Sequence, residues 1–152
     1  ACPYSLSPAN CGHTFCSLCI LKWFFSHCKA DCGHWHHNIE CPLCRTPLPH
    51  IDQEPPRSLN TFPFTSNRLA DEVINDLVNS IAGPQQTNSA SRNKDKKRGV
   101  DEPGWLGWLH GGTSRRDWQQ RDRSGRAEMT ALASTWGRMR GDDFLAFRRR
   151  LT

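Results

Sequence analysis

Apolar residues recur at helical spacing in several stretches of this chain. Ser17-Leu-Cys-Ile-Leu-Lys-Trp-Phe-Phe25 is dense enough in large apolar side chains to form a short helix. Over residues 67–81, Leu69, Val73, Leu77 and Ile81 follow one another at four-residue steps, joined by Ile74 and Val78. Ser66 or Asn67 can cap this segment, Asp71 and Glu72 suit its first turn, and Gly83-Pro84 stops it. An amphipathic helix is predicted, which either packs back on the preceding residues or pairs with another chain. Further on, Met129, Leu132, Trp136 and Met139 share one face over 127–139. A second short helix is expected from Asp142 or Asp143 to Leu151, with Phe144, Leu145 and Phe147 inward. Residues 84–104 show no such period and are rich in Gln, Asn, Ser and Lys, the composition of a disordered linker.

These elements are too few and too short for one large apolar core. Of 152 residues only 36% are apolar, and the mean hydropathy is −0.69. Ordering a residue costs roughly 1–2 kcal/mol, so something besides hydrophobic area must hold the folded part together. All eight cysteines lie in the first 44 residues, which says where to look. Charge divides the chain as well. Residues 1–83 carry a net −2 and residues 84–152 a net +7, giving the overall +5. A basic tail suits an acidic partner or nucleic acid, and Lys94-Asp-Lys-Lys-Arg98 suits nuclear import, but a solvated linker has the same count. No stretch approaches the ~20 apolar residues that span a bilayer, so no membrane association is expected. Position 1 is alanine and the first methionine is Met129, as in a piece of a longer chain.

The cysteines are spaced as metal ligands. Cys11-Gly-His13-Thr-Phe-Cys16-Ser-Leu-Cys19 is followed much later by Cys41-Pro-Leu-Cys44. A C-x-x-C turn aims two thiolates at one ion, and zinc takes four tetrahedral thiolate or imidazole ligands. Cysteines so close together are poorly placed to bridge each other, and a disulfide framework has no use for His13. Zinc is therefore the expected cofactor.

This stretch, from Cys11 to Arg45, resembles the RING finger family, matching six of its eight ligand positions. The resemblance implies a small zinc-stabilised α+β module with a cross-brace. Cys11, His13, Cys41 and Cys44 would share one ion, and Cys16 and Cys19 would share a second with the family's first ligand pair. That first pair has no full counterpart here. Cys2-Pro-Tyr-Ser5 has the spacing only if a serine replaces a thiolate, so the pair is expected upstream of Ala1, with Cys2 a bystander or its second member. One complete zinc site is expected in this chain and two in a longer one. A PHD finger is the nearest rival, but it places Trp where this chain has Ile39.

The same resemblance implies a ubiquitin ligase, or a subunit of one, that recruits a ubiquitin-conjugating enzyme and promotes ubiquitin transfer to a substrate lysine. Trp23, Pro42 and Leu43 would dock the conjugating enzyme, while Phe25 is expected in the core. Arg45 would bridge enzyme and ubiquitin, its planar fork making several directed hydrogen bonds. Such a module works by positioning and needs no nucleophile of its own. The alternative is a non-catalytic zinc module for protein assembly, or for nucleic-acid binding through the basic tail, where arginines mix with Trp105, Trp108, Trp118 and Trp136. His27, Cys28, Cys32, His34, His36 and His37 crowd the loop before Cys41, as a third metal site or as an exposed polar loop. The expected division is a zinc finger over 1–50, a flanking helix over 61–83, a linker over 84–104 and a helical tail over 105–152, in the cytoplasm or nucleus.

Overall fold

Strand β1 (Pro3–Leu6) lies between two antiparallel neighbours, β2 (Thr14–Cys16) and β3 (Phe64–Ser66), in a computed structural model that describes residues 2–7, 11–82 and 104–151. Tyr4 stands opposite Phe15 on one side and Ser66 on the other. The central strand buries Leu6, while the Ser5 hydroxyl meets that of Thr14 at 2.8 Å. Among the described residues there are also four α-helices, α1 (Ser17–Ser26), α2 (Arg68–Ala82), α3 (Thr113–Thr135) and α4 (Gly141–Leu151). All of the predicted linker except Gly104, including Lys94–Arg98, lies outside the described residues.

Helix α1 runs where the sequence predicts and forms the spine of the core. Ile20, Leu21, Phe24 and Phe25 fall on one face and are all buried. One side of this face meets the loop after α1, which inserts Cys28, Trp35 and Ile39. Trp35 packs at a tilt with its ring centre 4.6 Å from that of Phe24 and gives its indole N–H to the Phe24 carbonyl at 3.1 Å. The His-rich loop is therefore anchored through its one tryptophan rather than exposed throughout. The other side meets the tail. Met129 and Leu132 of α3, Trp136, and Phe144, Phe147 and Leu151 of α4 belong to the same core cluster. Phe25 stacks on Phe147 at 4.9 Å, and Phe144 meets Trp35 edge-on at 5.0 Å. The tail, whose apolar face alone points equally to a small separate unit, completes the core begun by α1.

Helix α3 begins at Thr113, well before the predicted Ala127, because as far as Arg126 it is held by polar contacts that leave no apolar period. Arg115 donates to the Asn79 side chain at 3.0 Å, and Arg126 reaches both Asp71 at 2.6 Å and Asp122 at 2.8 Å. Close approach of α3 to α1 depends on Gly125, where a Cβ would fall 1.9 Å from the Ser17 hydroxyl. At the far end, the buried Arg57 guanidinium donates to the carbonyls of Asp52, Gln53 and Met139 and lies 4.8 Å over Phe144, tying the 52–57 loop to the α3–α4 turn.

Helix α2 is capped by Asn67, whose carbonyl accepts from the Ala70 N–H while its amide donates to Thr14 of β2. It packs back on the body, but through the face holding Asp71, Ile74 and Val78. The longer stripe, Leu69, Val73, Leu77 and Ile81, faces outward.

A shared core makes a direct expectation. Trp136→Ala should destabilise the protein by about 3–5 kcal/mol in chemical denaturation. The loss should appear in one cooperative transition that also reports on Trp35 of the amino-terminal part. Two separate transitions, with only the later one shifted, would show the tail to be an independent unit.

Candidate metal centre

Two tight backbone turns bring the candidate ligands together. In the first, Gly12 takes a left-handed φ of 63°, which lets Cys11 and His13 point the same way before β2 begins. The second is a hairpin of the chain on itself. Leu48 N–H donates to Ile39 O at 2.8 Å, Cys41 N–H to Thr46 O at 2.8 Å, and Arg45 N–H to Cys41 O at 2.9 Å. Arg45 takes the left-handed conformation (φ 59°) that closes this turn. Within it, the Leu43 N–H approaches Cys41 Sγ at 3.4 Å.

The result is a four-membered cluster of Cys11, His13, Cys41 and Cys44, with all ligand atoms within 4.8 Å of one another. Cys11 Sγ is 3.7 Å from Cys44 Sγ and 3.6 Å from His13 Nδ1, and Cys41 Sγ is 3.7 Å from His13 Nδ1. These distances can be tested against metal geometry. In a tetrahedron the edge is about 1.6 times the bond, so zinc–sulfur bonds of about 2.3 Å imply sulfur–sulfur edges near 3.8 Å and slightly shorter sulfur–nitrogen edges. A disulfide would need about 2.05 Å, and all eight cysteines are free thiols. The donor set thus fits a divalent ion such as zinc. As thiols the ligands are unequal: burial pushes Cys11 up to about 11, while hydrogen bonds from the Thr46 hydroxyl and N–H bring Cys44 down to about 6. Binding must displace the remaining protons, so uptake should weaken with falling pH.

The second pair is arranged differently. Cys16 ends β2 and caps α1, Cys19 sits exposed one turn on, and burial with the nearby Cys16 raises the Cys19 thiol. Arg121 of α3 donates to Cys19 Sγ at 3.4 Å, a contact between residues 102 apart that carries no local sequence signal. Among the described residues no third candidate ligand joins this pair. Cys2 lies instead beside Asp71 and Asp122, buried, its thiol pushed up to about 11 by desolvation. Both carboxylates there are already engaged by Arg126, so the group is a polar tie between α2 and α3.

In the His-rich loop, Cys28 is buried, Cys32 Sγ meets His36 Nε2 at 2.9 Å, and His34 Nε2 lies 3.1 Å from the Gln53 carbonyl. Among the described residues these form no group of three able to share an ion. Of the residues singled out for docking, Pro42, Leu43 and Arg45 are exposed, Leu43 by 66%. Trp23 is half-buried, its ring edge-on to His27 at 5.0 Å.

No protein-family model matches the chain, and no solved structure matches it. Over 57 residues, 38% of its length, the chain is 35% identical to a probable E3 ubiquitin-protein ligase, XERICO, of Arabidopsis thaliana. The matched stretch spans 29% of that protein.

The cluster gives a stoichiometric expectation. Purified in the presence of zinc, the chain should retain about one ion per molecule by elemental analysis, fewer as the pH is lowered. Cys41→Ser should abolish retention, whereas Cys16→Ser should leave it unchanged. Retention indifferent to Cys41 would contradict the four-residue site, and two ions held tightly would show that Cys16 and Cys19 also complete a site within this chain.

Proposed function

We propose that this chain is the zinc-binding, RING-type part of a ubiquitin ligase, which recruits a ubiquitin-conjugating enzyme and promotes transfer of ubiquitin to a substrate lysine. One observation carries the proposal. The four residues that the family resemblance assigns to a single ion, the outermost 33 residues apart, come together with three of their separations at tetrahedral edge length and all within 4.8 Å. The likeness to a probable E3 ligase points the same way.

Zinc, when bound, would cross-link the Cys11–His13 turn to the 39–48 hairpin, and four protein ligands leave it no open position for chemistry. The work then falls to the chain's own surface. The exposed Leu43 and Pro42, carried on the ligand turn itself, offer a rigid apolar contact, and Trp23 adds the edge of an indole. Arg45, held by the same turn, supplies the cation that would bridge conjugating enzyme and ubiquitin. Transfer is promoted by restricting the geometry of the thioester, with no intermediate on this chain. Free cysteines suit the reducing cytoplasm or nucleus.

The nucleic-acid reading of the tail finds less support. Trp136 lies in the core, and Arg121, Arg126 and Arg150 are engaged within the chain. A zinc module for protein assembly is the reading to be separated by experiment.

The test is a reconstituted reaction with activating enzyme, a panel of conjugating enzymes and ubiquitin. Zinc-loaded protein should accelerate discharge of at least one conjugating enzyme's ubiquitin thioester. Leu43→Ala should reduce this by about tenfold or more, the scale of an interface hot spot, with zinc content unchanged. Trp23→Ala should weaken it in the same direction. Acceleration that ignores both residues would remove the docking assignment, and a zinc-loaded chain inert toward every conjugating enzyme would favour the assembly module.

A further inference from the structure

Four large apolar side chains on one line of α2 remain mostly in water: Leu69 at 73%, Val73 at 51%, Leu77 at 57% and Ile81 at 48% exposure. Isolated exposed leucines need no explanation, but a continuous row does. At 1.5 Å per residue this row is a ridge about 18 Å long, turning through about 120°. It is not the by-product of a loosely hung helix. The Asn67 cap and the Asp71–Arg126 pair fix the first turns of α2, and the Arg115–Asn79 bond fixes its end. The fold holds the helix firmly and turns its more apolar side away from the core.

What could cover the ridge is constrained by charge. Along its edge Arg68 is followed by Glu72 and Asp76, each one turn on, both acidic residues exposed and without an ion-pair partner among the described residues. Two copies packed antiparallel along the whole row would set each acidic edge against its own counterpart, since like flanks meet in an antiparallel pair, and the register that sets Arg68 opposite Asp76 leaves Leu77 and Ile81 uncovered. A parallel pair would bring the acidic edge of one copy to the Ala70–Ile74 edge of the other, which packs against its own body. Self-association is disfavoured either way. An aliphatic row bordered by lysine or arginine would satisfy both features.

We propose that the outer face of α2 is a docking surface for an amphipathic helix of a partner protein, one with aliphatic residues at four-residue steps and a basic row beside them. Rows of four-residue spacing interdigitate when two helices cross at about −50°, so the ridge can meet such a helix along several turns. This surface is separate from the metal cluster and does not rest on the ubiquitin-transfer reading.

The test uses the full zinc-loaded chain and a fluorescein-labelled helical peptide of about 14 residues, with leucines at four-residue steps and lysines on the adjoining row. A matched peptide carries glutamates in place of the lysines. Fluorescence anisotropy should show saturable binding of the basic peptide and affinity about tenfold or more weaker for the acidic one. Because the chain carries a net +5, attraction of a basic peptide has to come from a local acidic patch, and the charge-reversal variant below asks whether Glu72 and Asp76 supply it. Val73→Ser with Leu77→Ser, and separately Glu72→Lys with Asp76→Lys, should each weaken binding by a similar factor, with circular dichroism and zinc content unchanged. Equal binding of both peptides, binding of neither, or affinity untouched by either double variant would overturn the proposal. So would a wild-type dimer in sedimentation equilibrium that Val73→Ser with Leu77→Ser converts to monomer, because a second copy would then cover the ridge.

Discussion

Cys41 belongs at once to the four-membered ligand cluster and to the buried core, and this double membership sets much of the structure. Its thiol faces Cys11, His13 and Cys44, while its side chain is nearly inaccessible and the chain on either side supplies Ile39 and Leu48 to the core. Closing the cluster around an ion would therefore fix the register of a long loop whose middle, through Trp35, is anchored between Phe24 and Phe144. The magnitudes decide how to rank the two. Structural zinc contributes roughly 10–16 kcal/mol, as much as or more than the whole net stability of a typical domain, about 5–15 kcal/mol. The aromatic core gives the chain its shape, and an ion held by the ligand cluster would weigh as heavily in whether that shape persists.

Polar contacts from α3 reach the exposed side of α1 and hold α2 beside the sheet. Arg121 meets Cys19, Arg126 joins Asp71 to Asp122, and Arg115 holds Asn79. Partly exposed ion pairs stabilise little, commonly under about 1 kcal/mol, so their contribution here is orientation. They fix how α2 lies against β1 and hence which of its faces looks outward. The helix that flanks the candidate metal module is thus aimed by arginines contributed from the far end of the sequence.

How much of this was legible beforehand follows from the kind of signal each element carries. The ligand spacing of Cys11, His13, Cys41 and Cys44 is local chemistry, and the sequence shows it plainly. Helix α1 and the extent of α2 were also readable, because capping by Asn67 and apolar periodicity act within a few residues. Which face of α2 would be buried was not readable, since the strongest apolar row proved to be the exposed one. The early start of α3 was hidden for a related reason: its first half is held by arginines, whose partners lie up to about a hundred residues away and leave no period. Trp35 was obscured by the histidines around it, although a tryptophan in a polar loop is itself a sign of anchoring. Gly125 gave no signal, because a glycine needed for close helix approach reads in sequence as a weakness in the helix.

Three thiolates and one imidazole, drawn from two separate turns, would share a single ion. X-ray absorption at the zinc edge on the metal-loaded chain measures this directly. The expected first shell is three sulfur atoms at about 2.3 Å and one nitrogen at about 2.0 Å, with the outer-shell scattering of an imidazole. A shell of four sulfurs, a shell dominated by oxygen, or no retained zinc would contradict it.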